Sequence, residues 1–149
     1  MSDAAAVDTS VSVLAIDPGS VRVGIAARAA GSPVATPVGS LLRSSSTFWP
    51  ELLREVRERE VRVIVVGLPR RLDGSEGDAA ALARNLAREV ERRTGVRCEL
   101  WDERFTTALA ERELISAGAR RRRRRDAIDA AAATLLLQSW LDSPRATGR

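Results

Sequence analysis

Leu14-Ala15-Ile16-Asp17-Pro18-Gly19-Ser20 is the stretch around which the rest of the chain is organised. The dense apolar run that leads into Asp17 is typical of a strand buried on both faces. Pro18-Gly19 then predicts a turn, and a second strand with alternating apolar residues follows over residues 21–27. We therefore predict that a rigid central strand carries the Asp17 carboxylate to the end of a sheet. The alternative is an Asx-type turn, in which Asp17 binds only the backbone amides of its own turn.

The composition is that of one ordinary globular domain. The chain has 149 residues, of which 44% are hydrophobic and 30% are charged. No apolar run approaches the roughly 20 residues of a membrane span, and Met1-Ser2-Asp3 lacks the features of a signal peptide. We therefore predict a cytoplasmic protein without a membrane partner. A single cysteine, Cys98, and the absence of histidine exclude the usual kind of zinc site, and Cys98 is expected to be a reduced, structural thiol.

The remaining pattern predicts three strands, then helix, strand, helix and strand, and finally two helices. Residues 1–10 are expected to form a disordered leader and residues 143–149 a flexible tail, which leaves one domain over residues 11–142. Hairpin spacing predicts antiparallel pairing of the first three strands, and Pro37 marks the third as an edge strand. The helical crossovers before the fourth and fifth strands predict parallel pairing there. The predicted fold is α/β, with a mixed five-stranded sheet covered by helices.

The two final helices are predicted on either side of an arginine run. The first extends from Thr106 or Thr107 to Ala117, and the second from a cap at Asp126 to about Asp142. All 24 basic residues of the chain are arginines, and the net charge is +4. Six of the arginines are consecutive, so the rest of the chain has a net charge of −2; they are Arg120, Arg121, Arg122, Arg123, Arg124 and Arg125.

Such a charge run is commonly a solvated loop. Its place directly before the last helix instead favours an arm that binds the phosphates of nucleic acid. Arg70 and Arg71 follow the fourth strand, and we predict that they form a second phosphate-binding group. Because only 3% of the residues are aromatic, a platform for stacking bases is disfavoured. We therefore expect recognition of backbone and shape, with weak sequence preference.

Four acidic residues fall where a common site could form. Asp17 ends the first strand, Asp102 and Glu103 end the fifth, and Asp129 lies on the last helix. Because parallel strands bring their carboxyl ends to one edge of a sheet, that edge is where α/β proteins place their chemistry. Carboxylates without histidine or cysteine suit Mg²⁺ or Mn²⁺. Such ions hydrolyse phosphodiesters by activating water and stabilising the leaving oxygen.

Each acid also has a purely structural interpretation. Asp129 lies three residues after the predicted cap Asp126, where an acid can complete a capping box. Asp102-Glu103-Arg104 could be a charged strand end that contains its own ion pair. The joint placement of the acids at one edge favours the catalytic interpretation.

Four segments of the chain closely resemble the YqgF/RuvX family. They are Ile16-Asp17-Pro18-Gly19-Ser20 with Val23-Gly24-Ile25-Ala26, Val66-Gly67-Leu68-Pro69 with Asp73-Gly74-Ser75-Glu76-Gly77, Asp102-Glu103-Arg104-Phe105-Thr106-Thr107, and Ile128-Asp129-Ala130-Ala131-Ala132 with Leu137-Gln138-Ser139-Trp140-Leu141. The resemblance covers residues 12–142. It implies an RNase H-like fold related to RuvC Holliday-junction resolvases, with sheet order 3-2-1-4-5 and the first strand in the centre.

The resemblance also implies a function. Asp17, Glu103 (or Asp102) and Asp129 would be the acidic active-site residues and metal ligands of a nuclease that matures the 5′ end of pre-16S ribosomal RNA. The alternatives are a resolvase of branched DNA and a non-catalytic factor that binds nucleic acid during ribosome assembly. A homodimer is expected only by analogy with related resolvases. Asp17-Pro18-Gly19-Ser20 also matches the phosphate loop of actin-like ATPases, but those proteins need two such lobes.

The predicted sheet order raises a geometric problem for this site. The fifth strand would lie two strands from the first, about 9–10 Å away, and the fourth strand ends in Gly67-Leu68-Pro69 without a carboxylate. A compact site therefore requires the chain to bend inward after Trp101. Alternation places Asp102 and Glu103 on opposite faces. We favour Glu103 for its longer side chain and for the resemblance, and both one-metal and two-metal sites are compatible with the sequence.

Overall fold

The computed structural model describes residues 10–105 and 121–143. In chain order, its elements are β1 (Ser12–Pro18), β2 (Arg22–Arg28), β3 (Thr36–Leu42), α1 (Phe48–Glu58), β4 (Val61–Leu68), α2 (Asp78–Thr94), β5 (Arg97–Asp102), a 3₁₀ turn (Glu103–Phe105) and α3 (Arg121–Asp142). The predicted helix from Thr106 or Thr107 to Ala117 lies outside the described residues, as do residues 1–9 of the predicted leader and residues 144–149 of the predicted tail.

The five strands form one sheet in the order β3-β2-β1-β4-β5. The pairs β1–β2 and β2–β3 are antiparallel, whereas β1–β4 and β4–β5 are parallel. This confirms the predicted α/β fold, the mixed sheet and the central position of β1, whose residues 13–16 are completely buried. Pro37 lies in β3, an edge strand, where the missing N–H of proline is tolerated.

Alternate residues of the central strands contribute to two different cores. On one face, Leu14 and Ile16 pack with the buried sides of α1 and α2. On the other face, Val13 and Ala15 pack against Leu136 and other apolar residues of α3. This division follows from the two-residue period of a strand. Every odd-numbered residue of β1, including Asp17, therefore belongs to the face that α3 covers.

Helix α3 is fixed at both edges of the sheet. Near β3, the Gln138 side chain accepts a hydrogen bond from the Ala35 N–H at 2.9 Å. Near β5, the Trp140 indole N–H donates to the Glu99 carboxylate at 2.6 Å, and the Trp101 indole donates to Ser139 at 3.2 Å. These contacts anchor the second half of α3 on both sides. Because the helix is continuous, they also set the position of its first half over the sheet.

The start of α3 differs from the prediction. The helix includes Arg121, five residues before the predicted cap, so Asp126 lies within the helix and is not its cap. The predicted helix start at Asp126 was therefore wrong. Arginine is one of the better helix-forming residues, and neither glycine nor proline separates the run from Asp126. Asp129 is consequently the ninth residue of α3, too far from the helix start for a capping box.

Helices α1 and α2 both end in a residue with left-handed backbone geometry. After α2 this residue is Gly95, with φ 72°, and after α1 it is Glu60, with φ 55°. We expect Glu60→Gly to raise the free energy of unfolding by about 0.5–1 kcal/mol, because relief of roughly 1–2 kcal/mol of strain exceeds the entropic cost of glycine. Urea denaturation measures this change. Glu58→Gly, within α1, should instead lower the stability by about 1 kcal/mol, and a destabilised Glu60→Gly protein would contradict the prediction.

Candidate active site

The candidate site is built around Asp17 and a glycine on each neighbouring strand. Asp17 pairs with Gly24 on β2. On the other side, Ile16 pairs with Val66 of β4, so the next residue, Gly67, lies beside Asp17. Residues in register share a face of the sheet. The Asp17 side chain is therefore flanked by two positions that carry no side chain, on the face that α3 covers.

Gly24 allows the backbone of α3 to lie directly on β2. A Cβ atom added to Gly24 would come within 2.0 Å of the Asp129 carbonyl oxygen. Any other residue at position 24 would therefore move the helix. The close contact places Asp129 over the strand that neighbours Asp17.

Gly67 provides the corresponding space for Glu103. A Cβ atom added to Gly67 would lie 2.5 Å from Glu103 Oε2 and 2.9 Å from its Cγ. The 3₁₀ turn after β5 thus directs the Glu103 side chain inward, across the end of β4. The Glu103 side chain therefore lies over β4, the strand next to β1, although its backbone follows β5, two strands away. A compact site requires this inward bend after Trp101, but the sequence alone did not predict it.

Asp129 and Glu103 therefore lie over the two strands that neighbour Asp17, at the carboxyl edge of β1 and β4. All three are half-buried, and Glu103 Oε2 and Asp129 Oδ2 are buried atoms. Within residues 10–105 and 121–143, no three acidic, histidine or cysteine residues form a ready-made metal cage. Mg²⁺ is usually bound by one or two carboxylates together with substrate phosphates and water. The donor set fits an ion that is shared with the substrate.

Asp102 lies apart from these three acids. It follows Cys98 and Leu100 on the face that packs against α1 and α2. Its Oδ1 accepts the Arg104 backbone N–H at 2.9 Å, and its Oδ2 accepts Arg104 Nη2 at 2.7 Å. Burial alone would raise the pKa of Asp102, but the hydrogen bonds from Arg104 and the charges of Arg104 and Arg70 outweigh it and hold the pKa below its ordinary value. Asp102 thereby stabilises the 3₁₀ turn that carries Glu103.

Arg70 and Arg71 lie at the carboxyl end of β4, but the local structure already engages both. Arg70 forms ion pairs with Glu76 at 3.5 Å and with Asp102 at 3.9 Å. Arg71 Nη1 donates to Ser75 Oγ at 3.3 Å and to the Glu76 carbonyl at 3.5 Å. These contacts hold the loop of residues 69–77 beside the acids. Both guanidinium groups are at the edge where a phosphate would lie.

Arg104 is a residue at this edge for which the sequence predicted no functional role. Its side chain is one third exposed, and Nη1 lies 3.5 Å from where a Cβ atom of Gly74 would be. It therefore connects the end of β5 to the loop of residues 69–77. The spacing Asp102-x-Arg104 was the sequence signal for this contact. A carboxylate two residues before an arginine can accept hydrogen bonds from both the backbone N–H and the guanidinium group of that arginine.

The arginine run is now placed relative to Asp129. Arg121 to Arg125 form the first turns of α3, whereas Arg120 lies outside the described residues. At 1.5 Å per residue, about 12 Å of helix separates Arg121 from Asp129. The run therefore belongs to the helix that covers the face of the sheet opposite to that of Asp102.

Cys98 is not a candidate nucleophile. Burial, with a smaller contribution from the charge of Glu91, raises the pKa of its thiol to about 12. The thiol is therefore neutral at physiological pH, whereas a reactive cysteine needs a lowered pKa. This agrees with the expected structural role.

Comparison with known proteins identifies the family. Residues 11–143 match the family model RuvX, described as "Holliday junction resolvase". The chain belongs to the RuvX family. Among its RuvX relatives, a protein of Nocardia farcinica named "Putative pre-16S rRNA nuclease" is 42% identical, over 91% of this chain and 80% of that protein. A protein of Paracoccus denitrificans with the same name is 38% identical, over 92% of this chain and 87% of that protein.

Solved structures confirm the fold of this RuvX-family chain. RuvC of Thermus thermophilus, in a complex with a Holliday junction substrate, superposes with a TM-score of 0.57 at 14% sequence identity. The alignment covers 93% of this chain and 98% of RuvC. A second structure of RuvC from the same organism gives a TM-score of 0.53. The similarity establishes the RNase H-like fold predicted from the sequence.

Proposed function

We propose that this RuvX-family chain is a metal-dependent nuclease that hydrolyses phosphodiester bonds during maturation of the 5′ end of pre-16S ribosomal RNA. The observation that supports the proposal is the contact of the Glu103 side chain with Gly67, the β4 residue that neighbours Asp17. The names of the curated relatives support a ribosomal RNA substrate.

Asp17, Glu103 and Asp129 are the proposed metal-binding and catalytic residues. A bound Mg²⁺ or Mn²⁺ ion would supply an activated water and stabilise charge on the leaving oxygen. The chain itself supplies the placement of the carboxylates. Asp17 is held by its pairing with Gly24 and by the preceding pair, Ile16 with Val66. Glu103 is held by the 3₁₀ turn that Asp102 caps, and Asp129 by the contact of α3 with Gly24. Such rigid support is what keeps a catalytic group in its productive position.

The proposed enzyme recognises backbone and shape more than base sequence. Trp140 is buried and bonded to Glu99, and Trp101 packs in the α3 core while its indole N–H donates to Ser139. Neither ring is presented as a stacking platform. Arginines of the run 120–125, with Arg70 and Arg71, would bind phosphates. Specificity for the precursor would then come from its presentation on the immature small subunit.

Two further expectations belong to this proposal. Ribosome assembly would place the protein in the cytoplasm, and a homodimer is proposed by analogy with related resolvases. Within the described part of the chain, no helix has the length and apolar character needed to cross a membrane. A nuclease for branched DNA is the second candidate function, because the matching family model is described as a Holliday junction resolvase.

The proposal is tested by offering three substrates in equal amounts. They are free precursor RNA, precursor within immature small subunits, and a four-way DNA junction, each with Mg²⁺ or Mn²⁺ and each with excess chelator. We expect metal-dependent cleavage that is fastest for the precursor in immature subunits. Faster cleavage of the junction than of either RNA form would reject RNA maturation in favour of junction resolution. Absence of cleavage in all three would favour a non-catalytic assembly factor.

A further inference from the structure

A continuous series of alternating arginines and carboxylates leads away from the candidate site on the face opposite α3. Asp102 binds Arg104 at 2.7 Å and contacts Arg70 at 3.9 Å. Arg70 contacts Glu76 at 3.5 Å, and Glu76 binds Arg84 of α2 through two hydrogen bonds of 2.7 and 2.8 Å. The series therefore connects the turn of Glu103 to the first half of α2.

From Arg84, a groove continues between α2 and the edge strand β5. Its cavity volume is about 400 Å³, and Ala87, Cys98 and Leu100 form its apolar floor. Its charged lining consists of three arginines and one glutamate, a net charge of +2; these are Arg84, Arg88, Arg92 and Glu91. The arginines are four residues apart, so they follow one side of α2 over about 12 Å.

The arginines of this groove can exchange their present partners for a ligand at little cost. Arg88 donates to the Asn85 side chain, and Arg92 pairs with Glu89 on its own helix. The Arg92 side chain is 68% exposed, and that of Arg84 is 38% exposed. Exposed pairs of this kind contribute at most about 1 kcal/mol to stability. A polyanion with several phosphates can therefore displace the carboxylates from the guanidinium groups.

We propose that Arg84, Arg88 and Arg92 form a second nucleic-acid track, which binds the backbone of the RNA strand as it leaves the cleavage site. The proposal rests on the nuclease function for the site that it extends. Charge complementarity defines the occupant, because evenly spaced guanidinium groups over an apolar floor suit regularly spaced phosphates. Arg104 and Arg70 are linked to Arg84 through Asp102 and Glu76, so the track adjoins the turn that carries Glu103.

The track and the arginine run lie on opposite faces of the sheet. Arg121 to Arg125 belong to α3, whereas α2 packs on the other face. The acids lie at the carboxyl edge of the sheet, between the track and α3. The substrate would consequently lie across this edge, with the track on one side of the bond to be cut and the helix of the arginine run on the other.

The track is tested with the full chain in excess chelator, where binding can be measured without cleavage. A labelled single-stranded RNA is titrated at several salt concentrations with the wild type and with Arg84→Ser/Arg88→Ser/Arg92→Ser. Each lost phosphate contact should reduce the slope of log K against log salt by about 0.7, so the triple variant should lose about 2. Arg88→Ser/Arg92→Ser, which keeps the contact between Arg84 and Glu76, should lose about 1.4.

The matched control is Arg54→Ser/Arg57→Ser/Arg62→Ser. These three arginines are exposed on α1 and at the start of β4, away from the groove, and their replacement removes the same charge. We expect the control to keep a slope near that of the wild type. Equal slopes for the wild type and the groove variants would overturn the track. An equal loss of slope in the control would also overturn it, because the loss would then reflect only the change in net charge. If no RNA is cleaved but the groove variants alone lose slope, the track stands as a binding surface and the nuclease proposal fails.

Discussion

Asp17→Asn is expected to lower the rate of metal-dependent RNA cleavage by about 1,000-fold or more, the scale on which one member of a catalytic group acts. The amide has the same shape but no charge, and Asp17 lies between the two glycine positions that admit Glu103 and Asp129. Since strand pairing of β1 does not depend on the carboxylate, the melting temperature should change little. The measurement is single-turnover cleavage at saturating Mg²⁺ or Mn²⁺.

Glu103→Gln and Asp129→Asn should behave in the same way, and a calorimetric titration with Mn²⁺ should show weakened binding in each variant. Glu58→Gln removes an exposed carboxylate at the end of α1 and is the matched control. The three variants test the catalytic role of the three acids one by one. A folded Asp129→Asn protein with full activity would remove Asp129 from the mechanism and leave it a structural role in α3.

Gly24→Ala is expected to be among the most destabilising single substitutions in the chain, lowering the free energy of unfolding by about 3 kcal/mol. The new methyl group would lie 2.0 Å from a backbone oxygen of α3, and the helix cannot yield locally because Gln138 and Trp140 fix it to both edges of the sheet. Chemical denaturation of the wild type and the variant measures the difference. A change below about 1 kcal/mol would show that α3 can move away from β2.

Gly67→Ala provides an informative contrast. Its methyl group would meet the end of the Glu103 side chain, which can rotate away, so we expect a loss of stability of about 1 kcal/mol or less. The displaced carboxylate would no longer lie over β4, and cleavage should fall by at least about tenfold. Gly24→Ala should thus mainly lower stability, whereas Gly67→Ala should mainly lower activity. Full activity in Gly67→Ala would show that the position of Glu103 over Gly67 is not required.

The sheet could be predicted from the sequence because each of its strands carries a local signal. These signals are the apolar run before Asp17, the edge position marked by Pro37 and the helical crossovers. Together they leave few possible orders for the strands of the sheet. The start of α3 was misplaced because Asp126 is a typical capping residue, and this signal was given more weight than the helix propensity of the arginines before it.

The candidate site was predicted only in part. Strand ends brought Asp17 and Glu103 to one edge, but the inward direction of Glu103 depends on a 3₁₀ turn that Asp102 caps. No period or propensity encodes such a turn. The signal that the sequence did contain was Gly67, since a glycine at the end of a buried strand often marks a place that another group approaches closely. Asp102 was kept as an alternative to Glu103 because both residues end the fifth strand, although alternation already placed them on opposite faces of the sheet.

One contact at the edge of the sheet has a consequence for self-association. The outward-facing backbone N–H of Cys98 in β5 donates to the Glu91 carboxylate of α2 at 2.9 Å. An additional strand from another molecule would need this N–H group and would meet a negative charge in its place. The Glu91 carboxylate therefore disfavours edge-to-edge association through β5, and we expect Glu91→Ala to remove this protection.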